Sequence, residues 1–101
     1  MKLAISRWAE DDLVHICGYI AARNPDAAER FRIEVEKAFR LLTAHPEVGP
    51  RPGWETRHSK LRFWVISQFN NFLIYCEADS GKISIERALD GRRDVRRIMD
   101  R

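Results

Sequence analysis

Hydrophobic and polar positions along the chain change period several times, and each change predicts an element. Lys2 to Ser6 has the form of a short strand. Ala9, Leu13, Ile16 and Ile20 then recur at spacings of four, three and four, one face of an amphipathic helix. Glu10, Asp11 and Asp12 lie at its start, where carboxylates complement the helix dipole. Asn24-Pro25 interrupts the pattern, with Pro25 suited to the first position of a new helix and Asn24 to its N-cap. Ala28, Phe31, Val35, Ala38 and Leu42 form the second apolar stripe, so the two helices predict an αα-hairpin with a tight joint. The stretch from His45 to Trp54, HPEVGPRPGW, holds three prolines and two glycines and predicts an irregular loop.

Leu61 to Ile66 predicts a strand, and Ser67 to Asn71 a connection. Phe72 to Cys76, FLIYC, is apolar throughout and predicts a central strand covered on both faces. Asp79-Ser80-Gly81 predicts a hairpin turn into a last strand, Lys82 to Leu89. Alternation there puts Ile83, Ile85, Arg87 and Leu89 on one face and Ser84, Glu86 and Ala88 on the other. Gly91 permits a turn that a β-carbon would hinder, and a short helix from Asp94 to Met99 follows. The order β-α-α-β-β-β predicts an α+β fold, with the αα-hairpin packed on a mostly antiparallel four-stranded sheet. Residues 1–101 read as one domain, with no long linker and no internal repeat.

Composition narrows the setting. No run of about 18 apolar residues is present, so no membrane span is expected. The start, MKLAISRWAEDD, lacks the continuous apolar segment of a secretory signal. Cys17 and Cys76 sit among apolar residues and read as buried, reduced thiols. A cytoplasmic protein is expected. Residues 1–50 carry 7 basic and 8 acidic side chains, and residues 51–101 carry 11 and 7, giving a net −1 against a net +4. The basic half suits an acidic partner, and it equally suits a solvated face with no function.

The candidate chemistry is therefore basic. His15, His45 and His58 are far apart, no metal constellation or phosphate-binding glycine loop appears, and no cofactor is expected. Trp8, Trp54 and Trp64 read as core or interface residues rather than base-stacking platforms. Arg57, Lys60 and Arg62 flank or lie on the second strand, Arg87 lies on the fourth, and Arg92, Arg93, Arg96 and Arg97 follow it. Neighbouring strands could bring these into one patch able to meet phosphate or carboxylate. RNA cleavage would also need a general base and acid. No Tyr, His or Lys follows Lys82, and His58 is the one titratable candidate near the basic strands, so binding is favoured over catalysis.

Several segments together resemble the ParE branch of the RelE/ParE toxins of bacterial toxin–antitoxin systems. They are Asp12-Leu13 and Ile16, Tyr19 and Ile20; Asn24-Pro25 with Ala27-Ala28; His45-Pro46-Glu47-Val48-Gly49; Leu61-Arg62-Phe63-Trp64-Val65; FNNFLIY from Phe69 to Tyr75; and IERALDGRRDV from Ile85 to Val95. The resemblance implies a RelE/ParE-like fold and a toxin neutralised by a cognate ParD-like antitoxin. It further implies inhibition of DNA gyrase, by binding rather than as an enzyme. The antitoxin's apolar, partly acidic tail would meet Trp8, Phe39 and Leu41. RelE-like relatives are instead ribosome-dependent messenger-RNA endoribonucleases that often use a C-terminal tyrosine. This chain has Met99 and Arg101 near its end and no such tyrosine, which favours the ParE-like reading. Asp90 stands where the family commonly has histidine, and an acidic group there could pair with Arg92 or Arg93. An inactive, antitoxin-binding family member is the third reading.

Overall fold

A computed structural model describes residues 1–100, and Arg101 lies outside the described residues. The elements run β1 (Lys2–Ile5), α1 (Arg7–Ala21), α2 (Pro25–Ala44), β2 (Leu61–Val65), β3 (Phe72–Asp79), β4 (Lys82–Asp90) and α3 (Val95–Met99). The sheet order is β1-β4-β3-β2. β1 runs parallel to β4, and the other two pairings are antiparallel. β3 and β4 extend past Cys76 and Leu89, the ends expected from sequence, to Asp79 and Asp90. Ser80 and Gly81 join them with φ of +52° and +79°, the left-handed pair that a two-residue hairpin loop favours.

Local signals place the helices as expected. The Ser6 hydroxyl accepts from the Ala9 amide at 3.0 Å, and the Asn24 side chain accepts from Ala27 at 3.1 Å, so each helix has a side-chain N-cap. The hairpin lays Ala9, Phe31, Val35, Ala38 and Leu42 against Ile66, Ile74, Cys76, Ile83 and Ile85. Phe31 meets the rings of Phe69 and Phe72 edge-on, with centroids 5.2 and 5.8 Å away. On the opposite sheet face, Leu61, Tyr75 and Leu89 pack with Val95 and Met99. β3 is thus covered on both sides, which is why FLIYC carries no polar residue. Cys76 is buried, and that burial pushes its thiol up to about 11. Cys17 is only half-buried, a correction to the expectation of two buried thiols.

The strict alternation expected for β4 does not hold. Tyr75 pairs with Arg87 but Cys76 pairs with Ile85, so Glu86 is an extra residue, a β-bulge. Beyond it the faces exchange. Ile83 and Ile85 join the hairpin core, whereas Leu89 joins the α3 core and Arg87 lies opposite Tyr75. The Ser6 hydroxyl donates to the Glu86 carbonyl at 2.7 Å, while the Ser6 amide donates to Ile85 O at 2.9 Å. The residue that caps α1 therefore also ties down the bulge. Asp12, expected to serve the helix dipole, instead accepts from Arg87 Nε at 2.7 Å, Arg87 Nη2 at 2.9 Å and the Ala88 amide at 3.0 Å.

The long loop before β2 crosses the sheet edge at close range. The Phe63 amide donates to Pro50 O at 3.0 Å, and a β-carbon on Gly49 would collide with Phe63 O. Gly91 is not left-handed; its place is set by the amide bond to Asn71 O at 2.7 Å and by Leu73, whose Cδ1 would lie 3.1 Å from a β-carbon. The expected turn at Gly91 is therefore a matter of crowding, not of backbone freedom.

Gly49→Ala forces the loop away from β2. It should cost about 2 kcal/mol, the scale of overpacking, and lower the thermal midpoint on the order of 10 °C for a domain of this size. Differential scanning calorimetry measures this directly, and an unchanged midpoint would contradict the close approach.

Candidate functional site

The end of β4 and α3 carry most of the candidate arginines. Asp94 caps α3 by accepting from the Arg97 amide at 3.4 Å. Val95 and Met99 then turn into the second core, and that leaves Arg93, Arg96 and Arg97 outward and exposed. Arg96 and Arg97 lie on α3, and Arg93 precedes the α3 cap, three and four positions before them. Their side chains make no hydrogen bond or ion pair among the described residues.

The other basic residues are engaged. Arg92 grips Asp90 through Nη2 at 2.6 Å and Nε at 3.0 Å, and its amide donates to the same carboxylate at 2.9 Å. The Asp90 carboxyl is held below its ordinary value, chiefly by that bond. Arg87 forms the two-pronged pair with Asp12, with side chains 22% and 14% exposed. Lys60 pairs with Asp79 at 2.9 Å, and Arg62 Nη1 donates to Gly49 O at 2.9 Å. Arg57 is exposed on the loop before β2.

The candidates gather into adjoining groups rather than one surface. Arg57 and Arg96 line an open cavity of about 720 Å³ with Arg51, Trp54 and Asp100. Lys60 and Arg62 share a smaller one of about 240 Å³ with Arg51 and Glu47. Arg57 also borders a cavity of about 310 Å³ with Arg87, Trp8, His58 and Glu86. The loop is clipped to the end of α3: Thr56 Oγ1 donates to Asp100 Oδ1 at 2.7 Å, and His58 Nε2–H donates to Met99 O at 2.9 Å. Among the described residues no group of three or more His, Cys, Asp or Glu could hold a metal.

The apolar candidates divide similarly. Trp8 is 68% exposed at the start of α1, so it is not a core residue. Phe39 packs partly buried against the larger core, and Leu41 is half-buried; two positions apart on α2, they do not share a face. Val14 and Tyr19 on α1 are exposed at 71% and 56%; sequence reading passed over Val14 and used Tyr19 only within the family resemblance. Their only signal was their place off the apolar stripe. Glu86, Thr56 and Asp100 were also missed, because their positions depend on a bulge and a loop contact that no local pattern encodes.

The profile of a family described as "ParE toxin of type II toxin-antitoxin system, parDE" matches residues 3–95. A solved chain described as "Chromosomal ParDE TA system from P. aeruginosa" is similar in fold, with a TM-score of 0.72 and 19% identity; the match covers 87% of this chain and 92% of that one. No curated protein sequence matches significantly. No helix among the described residues is long and apolar enough to cross a membrane.

The Asp90–Arg92 pair has a defined pH signature. Because the folded pKa of Asp90 is lowered, the unfolded chain binds more protons near pH 4, and stability rises with pH there. The contribution is fully present above the unfolded carboxyl value and is lost as pH falls through the lowered one. Asp90→Asn keeps an acceptor for the Arg92 amide and removes only the charge. The gap in urea midpoint between parent and variant should be constant from pH 6 to 8 and close below about pH 4, near the ordinary Asp value. A gap that widens in acid would contradict the assignment.

Proposed function

The chain belongs to the ParE toxin family of type II toxin–antitoxin systems, and from that premise we propose that it arrests growth by binding DNA gyrase and is neutralised by a cognate ParD-like antitoxin. The observation that carries the reading beyond family membership is the outward row of Arg93, Arg96 and Arg97. These three guanidiniums make no side-chain bond among the described residues, so they can meet a partner without first breaking an internal pair. Arg87, Arg92, Lys60 and Arg62 would have to give up existing partners to do the same. Such a surface suits binding an acidic protein face, where opposed potentials set association rate and orientation.

The antitoxin belongs on the helical side. Trp8 offers a large exposed aromatic surface at the start of α1. A tail with apolar anchors and acidic flanks fits that surface, with the accessible parts of Phe39 and Leu41 as further contacts.

Supercoiling by purified gyrase, titrated with this protein, tests the target. Inhibition at micromolar protein is expected. The triple variant Arg93→Ala, Arg96→Ala, Arg97→Ala should weaken it at least tenfold with an unchanged far-ultraviolet circular dichroism spectrum. No inhibition by the parent would remove gyrase from the account, and a triple variant as potent as the parent would remove α3 from the contact. Rapid messenger cleavage on occupied ribosomes, with gyrase unaffected, would replace the reading with a RelE-like one.

A further inference from the structure

The cavity between α1, the β4 bulge and α3 lies apart from the outward arginines and shares only Trp8 with the surface assigned to the antitoxin. Its volume is about 310 Å³, at the lower end of small-ligand pockets. It is lined by Trp8, Arg57, His58, Glu86, Arg87, Ile98 and Met99. Glu86 is there because the bulge displaces it from the regular pairing of β4. Its backbone carbonyl is satisfied by Ser6, but its half-buried carboxylate takes no hydrogen bond among the described residues. Burial, with the nearby Glu77 charge, raises that carboxyl above its ordinary value. The carboxylate oxygens still reach solvent, so the group stands in the cavity as an acceptor open to a ligand's donors.

The lining limits what can meet it. A simple cation would satisfy Glu86 but would lie against Arg57 and Arg87. A simple anion would suit the arginines and be repelled by Glu86. The complement is a molecule with N–H donors at one end, an acidic group at the other, and a flat apolar body for Trp8, Ile98 and Met99. Arg87 commits Nε and Nη2 to Asp12, and its Nη1 makes no hydrogen bond among the described residues. His58 commits its Nε2–H to Met99 O, because a carbonyl can only accept.

We propose that this cavity binds a guanine nucleotide: Glu86 accepts from N1–H and the N2 amino group, the Trp8 indole stacks on the base, and Arg57 and Arg87 face the phosphate. The choice of base follows from the acceptor. Guanine alone among the standard bases places two donors side by side on its pairing edge. Adenine and cytosine set a ring-nitrogen acceptor beside their amino group, and uracil flanks its single N–H with two carbonyls, so each brings a lone pair against the carboxylate. Stacking of a base on an exposed aromatic residue and reading of its pairing edge are the usual means by which proteins hold an unpaired nucleotide. The guanine can come from a free nucleotide or from a single-stranded RNA. This inference concerns a different surface from the outward arginines of α3 and stands whether or not gyrase is the target.

Isothermal titration calorimetry of the full chain with GMP, AMP, CMP and UMP, and with RNA hexamers bearing or lacking one guanine, tests it. GMP, or the guanine-bearing hexamer, should bind at least tenfold more tightly than its counterparts. Binding of GMP identifies the free nucleotide as the source, and binding of the hexamer alone identifies single-stranded RNA; either supports the site. Glu86→Gln should bring guanine down to the level of the other bases, and Trp8→Ala, at an exposed position, should weaken all of them. Circular dichroism verifies that both variants are folded. No binding of either guanine ligand at millimolar concentration, equal affinity for the four bases, or a Glu86→Gln variant that keeps the preference would overturn the proposal.

Discussion

Asp12 holds the two halves of this molecule in register. Its carboxylate leaves α1 and accepts three hydrogen bonds from β4, two from the Arg87 guanidinium and one from the Ala88 amide. Six residues earlier, Ser6 begins the same helix and bonds the carbonyl of the bulged Glu86. The hairpin is thereby fixed to the sheet at the point where β4 changes faces. A polar link of this kind is costly to break, because either partner alone would be left desolvated without its complement. The neighbouring features follow from it. Ile85 lies on the hairpin side of the bulge and Leu89 on the α3 side, Glu86 lines a cavity beside Trp8, and α3 finds an apolar seat on the second face.

The same link divides the basic residues by what they do. Arg87 reads in the sequence as one member of an anion-binding group, yet its guanidinium serves the fold. Arg92 is held by Asp90, Lys60 by Asp79 and Arg62 by a loop carbonyl. The positive charge that remains uncommitted among the candidates described stands on Arg93, Arg96 and Arg97, at the C-terminal end of the chain. A net charge of +3 thus understates the asymmetry, because internal pairing removes several positive groups from the sheet and leaves those of α3.

Much of this architecture was legible locally. The two apolar stripes, the Asn24-Pro25 joint, the Asp79–Gly81 turn and the uniformly apolar FLIYC all report their own environment, and the β-α-α-β-β-β order follows from them. The resemblance to ParE toxins rested on the same segments and agrees with the family match. The pairing of Asp90 with Arg92, foreseen as one of two possibilities, is local as well. What escaped was non-local. A bulge at Glu86 leaves no mark in IERALD, since Ile-Glu-Arg-Ala continues a plausible alternation until Tyr75 and Cys76 of another strand fix the pairing. Asp12 looks like any acidic residue near a helix start until β4 arrives 75 positions later. The exposure of Trp8 is a matter of tertiary geometry that composition cannot report.

The most direct measurement is a double-mutant cycle on Asp12 and Arg87, read by urea denaturation of the parent, Asp12→Ala, Arg87→Ala and the double variant. A structural pair predicts a coupling of about 1–3 kcal/mol, the range for residues in direct contact. Asp12→Ala should be the costlier single change, because it also strands the Ala88 amide. Additive losses, within about 0.3 kcal/mol, would contradict the account and return Arg87 to the surface available for a partner.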